Sequence, residues 1–272
     1  MILAAGALAA QIVLAPCTID GVPGQAHCGS YQVWENRHSR QGRQIDLSVI
    51  VLLALEPNKQ ADPLFMLQGG PGDAPSFNAR FYSRVFHDIR RTRDLVLVDL
   101  RGTGKSGALT CPELAKPDAD GNFDANLLSV PAVRACRARL EKIADLRLYT
   151  TEIAVDDLED VREALGYGPI NVYGTSYGTR VAQVYLRKYP KSLRAVAMKG
   201  IVPPSMAMPE THARAGEDAW WALVARCQAD VNCRRTFPTL DADFRQLLAR
   251  LDQDAPVLTQ SARGGGPAAT IQ

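Results

Sequence analysis

The chain lacks the features that would mark a nucleic-acid binder, a membrane span or a metal site. Lys plus Arg total 31 against 29 Asp plus Glu, a formal balance of +2 over 272 residues, and no basic run stands out. Without such a patch there is no footprint for a phosphate backbone, so nucleic acid is not expected as a partner. The longest uncharged apolar run, Met1 to Ile19, is broken by Gln11, Pro16 and Cys17. It falls short of the ~20 apolar residues that a transmembrane helix needs. There is no CxxC pair, and of the four histidines only the isolated His27 stands near a cysteine. No metal is expected. No internal repeat is visible.

What is present is ordinary globular material, 46% hydrophobic and 22% charged, which argues against a disordered or fibrous chain. At ~150 residues per domain the length suits one large domain, or one domain with an appendage. Residues 1–16 have the apolar run of a secretory signal, with small residues at Ala7-Leu8-Ala9, but no Lys or Arg precedes Asp20. The segment is expected to be a signal remnant, with a buried N-terminal strand as the alternative. Six cysteines fall into three sequence-local pairs, Cys17 with Cys28, Cys111 with Cys136 and Cys227 with Cys233. Six cysteines allow 15 connectivities; local pairing is expected, each bridge contributing roughly 2 to 3.5 kcal/mol. Such bridges suit an oxidising compartment, hence a secreted or periplasmic location. Six buried thiols in a cytosolic protein are the alternative.

Tyr31 to Glu35 and Ile45 to Leu55 are extended segments around a polar turn, expected to pair antiparallel at a sheet edge. Leu64 to Leu67, Leu95 to Val98, Ile170 to Tyr173 and Ala195 to Met198 are apolar runs of buried-strand length between helical stretches. That rhythm predicts an α/β fold. A helix is expected over Glu152 to Leu165, capped by Thr151 and ended by Gly166, and another from Tyr177 to Lys188. Past Gly200 the pattern predicts only helices, near Glu217 to Ala229 and Asp241 to Leu251. No further strand pair is expected there, and SARGGGPAATIQ is expected to be loop-like.

Ile170 to Tyr173 runs directly into Gly174-Thr175-Ser176-Tyr177-Gly178 and then a helix. Strand, G-x-S-x-G and helix in succession predict a turn that lifts a serine hydroxyl clear of a sheet as a nucleophile. Acyl transfer also needs N–H donors aimed at the developing oxyanion. Gln68-Gly69-Gly70-Pro71-Gly72 follows the third predicted strand, and Gly70 and Tyr177 are the expected donors. Asp99-Leu100-Arg101-Gly102-Thr103-Gly104-Lys105-Ser106 imitates the end of a phosphate loop, but Asp99 occupies the place of its first glycine. The expected role of Asp99 and Arg101 is to hold a loop beneath the site.

QGGPG, DLRGTGKS, TTEIAVDDLEDVREALGY and INVYGTSYGTRVAQVYLRKYP together resemble the proline iminopeptidase and tripeptidyl aminopeptidase family of α/β-hydrolases, over about residues 28 to 204. Gln68 stands where many relatives have His, and Met198-Lys199-Gly200 where many have Leu-Asp-Gly. The resemblance implies an α/β-hydrolase core over 17–203, with the start of a helical cap over 204–272. It implies a serine exopeptidase working through an acyl-enzyme at Ser176 without a cofactor, on peptide or small ester and amide substrates. Glu210 and Glu217 are candidates to anchor a substrate ammonium.

In α/β-hydrolases the triad runs Ser, then Asp or Glu, then His, yet only His212 follows Ser176. It lies at the start of the helical segment, where a packing or surface role is expected. The chain is therefore expected to be a catalytically incomplete hydrolase, truncated within its cap. An esterase on the same serine and a non-catalytic binding domain are the rival readings.

Overall fold

The four apolar runs become the strands β4 (Leu64–Leu67), β5 (Leu95–Val98), β6 (Ile170–Thr175) and β7 (Leu193–Lys199). Ahead of them lie β1 (Val13–Cys17), β2 (Ala26–Trp34) and β3 (Gln44–Leu52). In the computed structural model, which describes residues 12–114, 129–207, 210–253, 258–260 and 269–271, all seven form one sheet of order β1-β2-β3-β5-β4-β6-β7. β1, β2, β3 and β5 pair antiparallel in turn, whereas β5, β4, β6 and β7 run parallel. β4 and β5 are buried at every residue, as expected for strands covered on both faces.

One expectation about the N-terminal part is corrected. Residues 1–11 lie outside the described residues, but Val13–Cys17 is a strand whose register pairs Val13 with Ser30 and Cys17 with Ala26. Residues 13–16 thus fall in a strand paired with β2, the alternative named for this segment. Consequently β2 and β3 are not the margin of the sheet; β1 is. The Cys17–Cys28 bridge, with Cα atoms 5.7 Å apart, ties β1 to β2. The other two local pairs are also bridged, at 5.4 Å for Cys111–Cys136 and 5.1 Å for Cys227–Cys233.

Helices α1 (Ala79–Val85) and α2 (His87–Arg90) follow β4, and α4 (Thr151–Ala164) and α5 (Tyr177–Lys188) flank β6, with α3 (Val130–Leu140) earlier in the chain. Ala154, Val155, Leu158 and Val161 of α4 are buried, as are Val181, Ala182, Val184 and Tyr185 of α5. All of these except Ala154 pack with Phe65, Leu67, Val96, Val98 and Val172 in the larger of two hydrophobic clusters. The cap of α4 is Thr150, not Thr151: the Thr150 hydroxyl accepts from the Ile153 N–H at 3.4 Å. Thr151 is instead inside the helix, its hydroxyl 2.7 Å from that of Tyr177. Gly166, at φ +72°, follows the helix end as expected.

By internal contacts the chain divides into two units, Met1–Thr110 with Leu140–Pro204, and Cys111–Arg139 with Ser205–Gln272. The first contains the whole seven-stranded sheet. In the second, α6 (Glu210–Ala229) and α8 (Leu240–Gln253) flank the short α7 (Val231–Thr236). The Trp220 ring stacks on Phe244 at 4.0 Å between centroids, and its indole N–H donates to Asp241 at 3.0 Å. The α6 helix starts seven residues before the predicted Glu217. The expectation of no further strands is overturned as well, because β8 (Leu258–Gln260) and β9 (Ala269–Ile271) pair antiparallel. Three-residue strands carry too little alternation to register as a sequence pattern.

Candidate active site

β6 enters the site between β4 and β7 and ends at Thr175. Ser176 then adopts φ 52° and ψ −124° before α5 begins at Tyr177. A non-glycine residue there is strained, and such strain persists only where its surroundings enforce it. The enforcement is visible at the flanking glycines. A Cβ on Gly178 would lie 2.0 Å from the Leu67 carbonyl oxygen, and one on Gly174 would lie 2.5 Å from that of Gly178. Both values are far inside van der Waals contact, so β4, β6 and α5 close on one another only with glycine at these positions. The Ser176 N–H donates to the Lys199 carbonyl at 3.0 Å, tying the turn to the end of β7.

The glycine loop after β4 lies against this turn. A Cβ built on Gly69 would be 3.1 Å from Cβ of Ser176 and 3.6 Å from its Oγ. Gly70, with φ +105°, follows directly. Among the described residues, the N–H groups of Gly70 and Tyr177 have no hydrogen-bond partner, and neither has the Ser176 hydroxyl. Two uncommitted amides and an uncommitted hydroxyl on adjoining turns are what a binding site for a polarised carbonyl requires. Gln68, Gly69, Asp73, Leu100, Tyr149 and Tyr177 line a small cavity of about 100 Å³ beside the loop. The buried Tyr82 hydroxyl of α1 donates to the Gln68 side-chain oxygen, so the residue that departs from the family pattern is anchored from below.

Sequence reasoning gave Asp99 a holding role, and the structure shows how it works. The buried Asp99 carboxylate accepts from the Ser76 N–H at 3.0 Å, the Ser76 hydroxyl at 2.7 Å and the Lys105 N–H at 3.0 Å. It thereby joins the segment after the glycine loop to the DLRGTGKS turn. Gly104 is required there, because a Cβ would sit 2.3 Å from Asp99 Oδ2. Arg101 is also buried and donates to Asp157 through Nε at 2.6 Å and Nη2 at 2.8 Å. It reaches the carbonyls of Glu35 and Leu148 at 2.9 and 3.0 Å as well. Arg37 supplies Asp157 with a second cation at 2.9 Å. The Ser76 and Arg37 partnerships escaped sequence reasoning, since they join residues 23 and 120 positions apart without a shared local motif.

The histidines lie on different elements. His27 lies in β2, His38 and His87 are exposed, and the His87 ring meets the Asp88 carboxylate at 3.2 Å. His212 lies in the first turn of α6, in the other unit. Of the two proposed ammonium anchors, Glu210 begins that helix, and Glu217 lines a cavity of about 270 Å³ with Trp220, Trp221 and Phe244. Cys111, Glu113 and Cys136 cluster closely enough to suggest a metal site, but both sulfurs are committed to a disulfide. No helix among the described residues is long and apolar enough to cross a membrane.

Comparison with known proteins places this geometry. The profile of the alpha/beta hydrolase fold family matches residues 62–223, more than half of the chain. The tripeptidyl aminopeptidase of Streptomyces coelicolor is 28% identical over 226 residues, covering 75% of this chain and 40% of that protein. The serine protease Hip1 of Mycobacterium tuberculosis is 26% identical over 271 residues, covering 90% and 50%. The chain thus spans half or less of the length of these relatives. Among solved structures, the proline iminopeptidase-related protein TTHA1809 of Thermus thermophilus is similar at 19% identity and a TM-score of 0.38, covering 69% of this chain and 44% of that one. With the family profile spanning the glycine loop, the Ser176 turn and the strands that carry them, the chain belongs to the α/β-hydrolase fold family.

Proposed function

We propose that this chain carries the nucleophile and oxyanion site of a serine hydrolase that releases N-terminal residues or short peptides. Ser176 Oγ attacks the scissile carbonyl, and the Gly70 and Tyr177 N–H groups receive the developing oxyanion. The scissile C–N bond breaks, the C-terminal part departs as an amine carrying the proton given up by the serine, and the N-terminal part stays on Ser176 Oγ as an ester that water then hydrolyses. The observation that carries this reading is the strained Ser176 turn, held by Gly174 and Gly178 against the Gly69-Gly70 loop with both amides uncommitted. The exopeptidase specificity is supported by the tripeptidyl aminopeptidase relative, and serine protease chemistry by the Hip1 relative. The fold alone would equally serve an esterase. Three disulfides fit an exported protein.

A serine hydroxyl is a poor nucleophile at neutral pH unless a base within hydrogen-bond reach takes its proton. No described residue fills that place. The purified chain is therefore expected to react slowly with a fluorophosphonate, at Ser176 in preference to other serines. Added imidazole, as an external base, is expected to accelerate labelling, and Ser176→Ala to abolish it. Labelling that persists in Ser176→Ala, or a Ser176 no more reactive than other serines with imidazole present, would overturn the proposal. Aminoacyl amides and short-chain esters compared under the same rescue conditions separate peptidase from esterase.

A further inference from the structure

Tyr82 is a fully buried residue of α1, and its ring packs with Leu52, Met66 and Leu97 in the smaller hydrophobic cluster. A phenylalanine would fill that place as well. The hydroxyl is therefore the part of Tyr82 that packing does not explain, because taking a hydroxyl out of water costs free energy unless a hydrogen bond replaces the lost hydration. Among the described residues its one hydrogen-bond partner is the Gln68 side-chain oxygen. Burial, with Tyr173 and Asp73 adding to it, pushes the phenol well up from its ordinary value, so the group stays protonated and donates.

That bond fixes more than one atom. A glutamine amide is planar, with an acceptor oxygen on one arm and two N–H donors on the other. With the oxygen held against Tyr82, the nitrogen arm is turned away from the buried cluster. Gln68 is only partly buried and lines the cavity of about 100 Å³ together with Gly69 and Tyr177. Gly70 is next in the chain. Among the described residues the Gln68 amide nitrogen has no hydrogen-bond partner.

We infer that the Gln68 side chain supplies a third N–H donor to the oxyanion site, and that Tyr82 is the positioning residue that turns the amide to do so. This rests on the reading of Ser176 as the nucleophile. When Oγ bonds to the scissile carbon, the carbonyl π pair moves to the oxygen, which then accepts from Gly70, Tyr177 and Gln68. Unlike the two backbone amides, a side-chain amide can turn over and present its oxygen, which would repel the developing charge. The Tyr82 hydroxyl opposes that flip, because its buried proton would lose its acceptor. A donor fixed beforehand needs no reorganisation as charge develops.

Fluorophosphonate labelling of the full 272-residue chain, with imidazole present, tests this. Oγ displaces fluoride from phosphorus, the serine proton passes to imidazole, and the P=O oxygen is the acceptor. Gln68→Met keeps the side-chain length without its donors. It should slow Ser176 labelling about 10-fold, less than the ~10² to 10³ lost with a main oxyanion donor, because Gly70 and Tyr177 remain. Tyr82→Phe should slow it about 5-fold, the worth of one hydrogen bond, with circular dichroism unchanged. The double variant should be no slower than Gln68→Met alone, whereas a merely structural Tyr82 would add its own loss. In the finished adduct the phosphorus NMR resonance should move in both single variants. No selective labelling of Ser176 in the unaltered chain would overturn the functional proposal and this inference together. Selective labelling that either single variant leaves unchanged, losses that add in the double variant, or an unmoved phosphorus resonance would overturn this inference alone.

Discussion

The two faces of the sheet solve the same packing problem to different extents. One is closed by α4 and α5, whose apolar stripes vanish into a cluster with Phe65, Leu67, Val96 and Val172. The other receives α1, which buries Ala79 and Tyr82 against Leu52, Met66 and Leu97 but leaves Phe81 and Val85 in solvent. The closed face also holds paired charges: Arg101, Asp157 and Glu159 are all buried there with hydrogen-bonded partners. Amphipathic spacing shows that a helix has an apolar side; it does not show whether anything in the chain covers it.

The largest expected effect breaks the closed face at its charges. Arg101→Ala leaves the buried Asp157 carboxylate with Arg37 alone and five backbone or carboxylate acceptors without the Arg101 donor. Breaking one side of a buried ion pair costs about 3 to 5 kcal/mol, because the remaining charge is stranded. Urea denaturation should show a loss in that range. A loss below about 1 kcal/mol would mean that Arg37 or solvent replaces Arg101 freely.

A matched pair of truncations measures the contrast itself. Leu158→Ala removes a fully buried side chain from α4 and should cost about 2 to 5 kcal/mol. Phe81→Ala removes a larger, half-exposed side chain and should cost less, about 1 kcal/mol. Equal losses would show that the α1 face is as well packed as the α4 face.

How much of this was legible beforehand depends on how local each signal is. The strands β4 to β7, the Ser176 turn and the glycine loop are contiguous motifs, and each lies where the residues placed it, although β7 is exposed where a buried strand was expected. The disulfides followed from cysteines close in sequence. The capping residue was misassigned by one position because Thr150 and Thr151 are chemically equivalent, and only the Tyr177 hydroxyl decides between them. The β1 strand was obscured because an apolar, small-residue segment serves a leader and a strand equally well. The Asp99 to Ser76 bond and the Arg37 to Asp157 pair depend on strand order, which no local pattern encodes.

Glu159 carries an effect whose interest lies in its pH dependence. Burial alone would raise its carboxyl, but Arg162, Ser192 and Tyr185 donate to the charged form at 2.7 to 3.0 Å and hold it below the usual carboxylate range. A depressed folded-state value means that the unfolded chain binds the proton more readily. The stabilisation is therefore fully present above the unfolded value of about 4.3 and is lost as pH falls through the folded one. Glu159→Gln keeps the shape but cannot titrate. It should cost about 1 to 2 kcal/mol at pH 7 and make the melting midpoint less sensitive to acid below about pH 4.5. Some acid sensitivity should remain, because burial of Asp62 is likewise outweighed by Asn171 and Arg93, which lower its carboxyl too. An acid profile that is unchanged in Glu159→Gln would place the acid-sensitive contacts elsewhere, with Asp62, whose carboxyl is also lowered, the first to test.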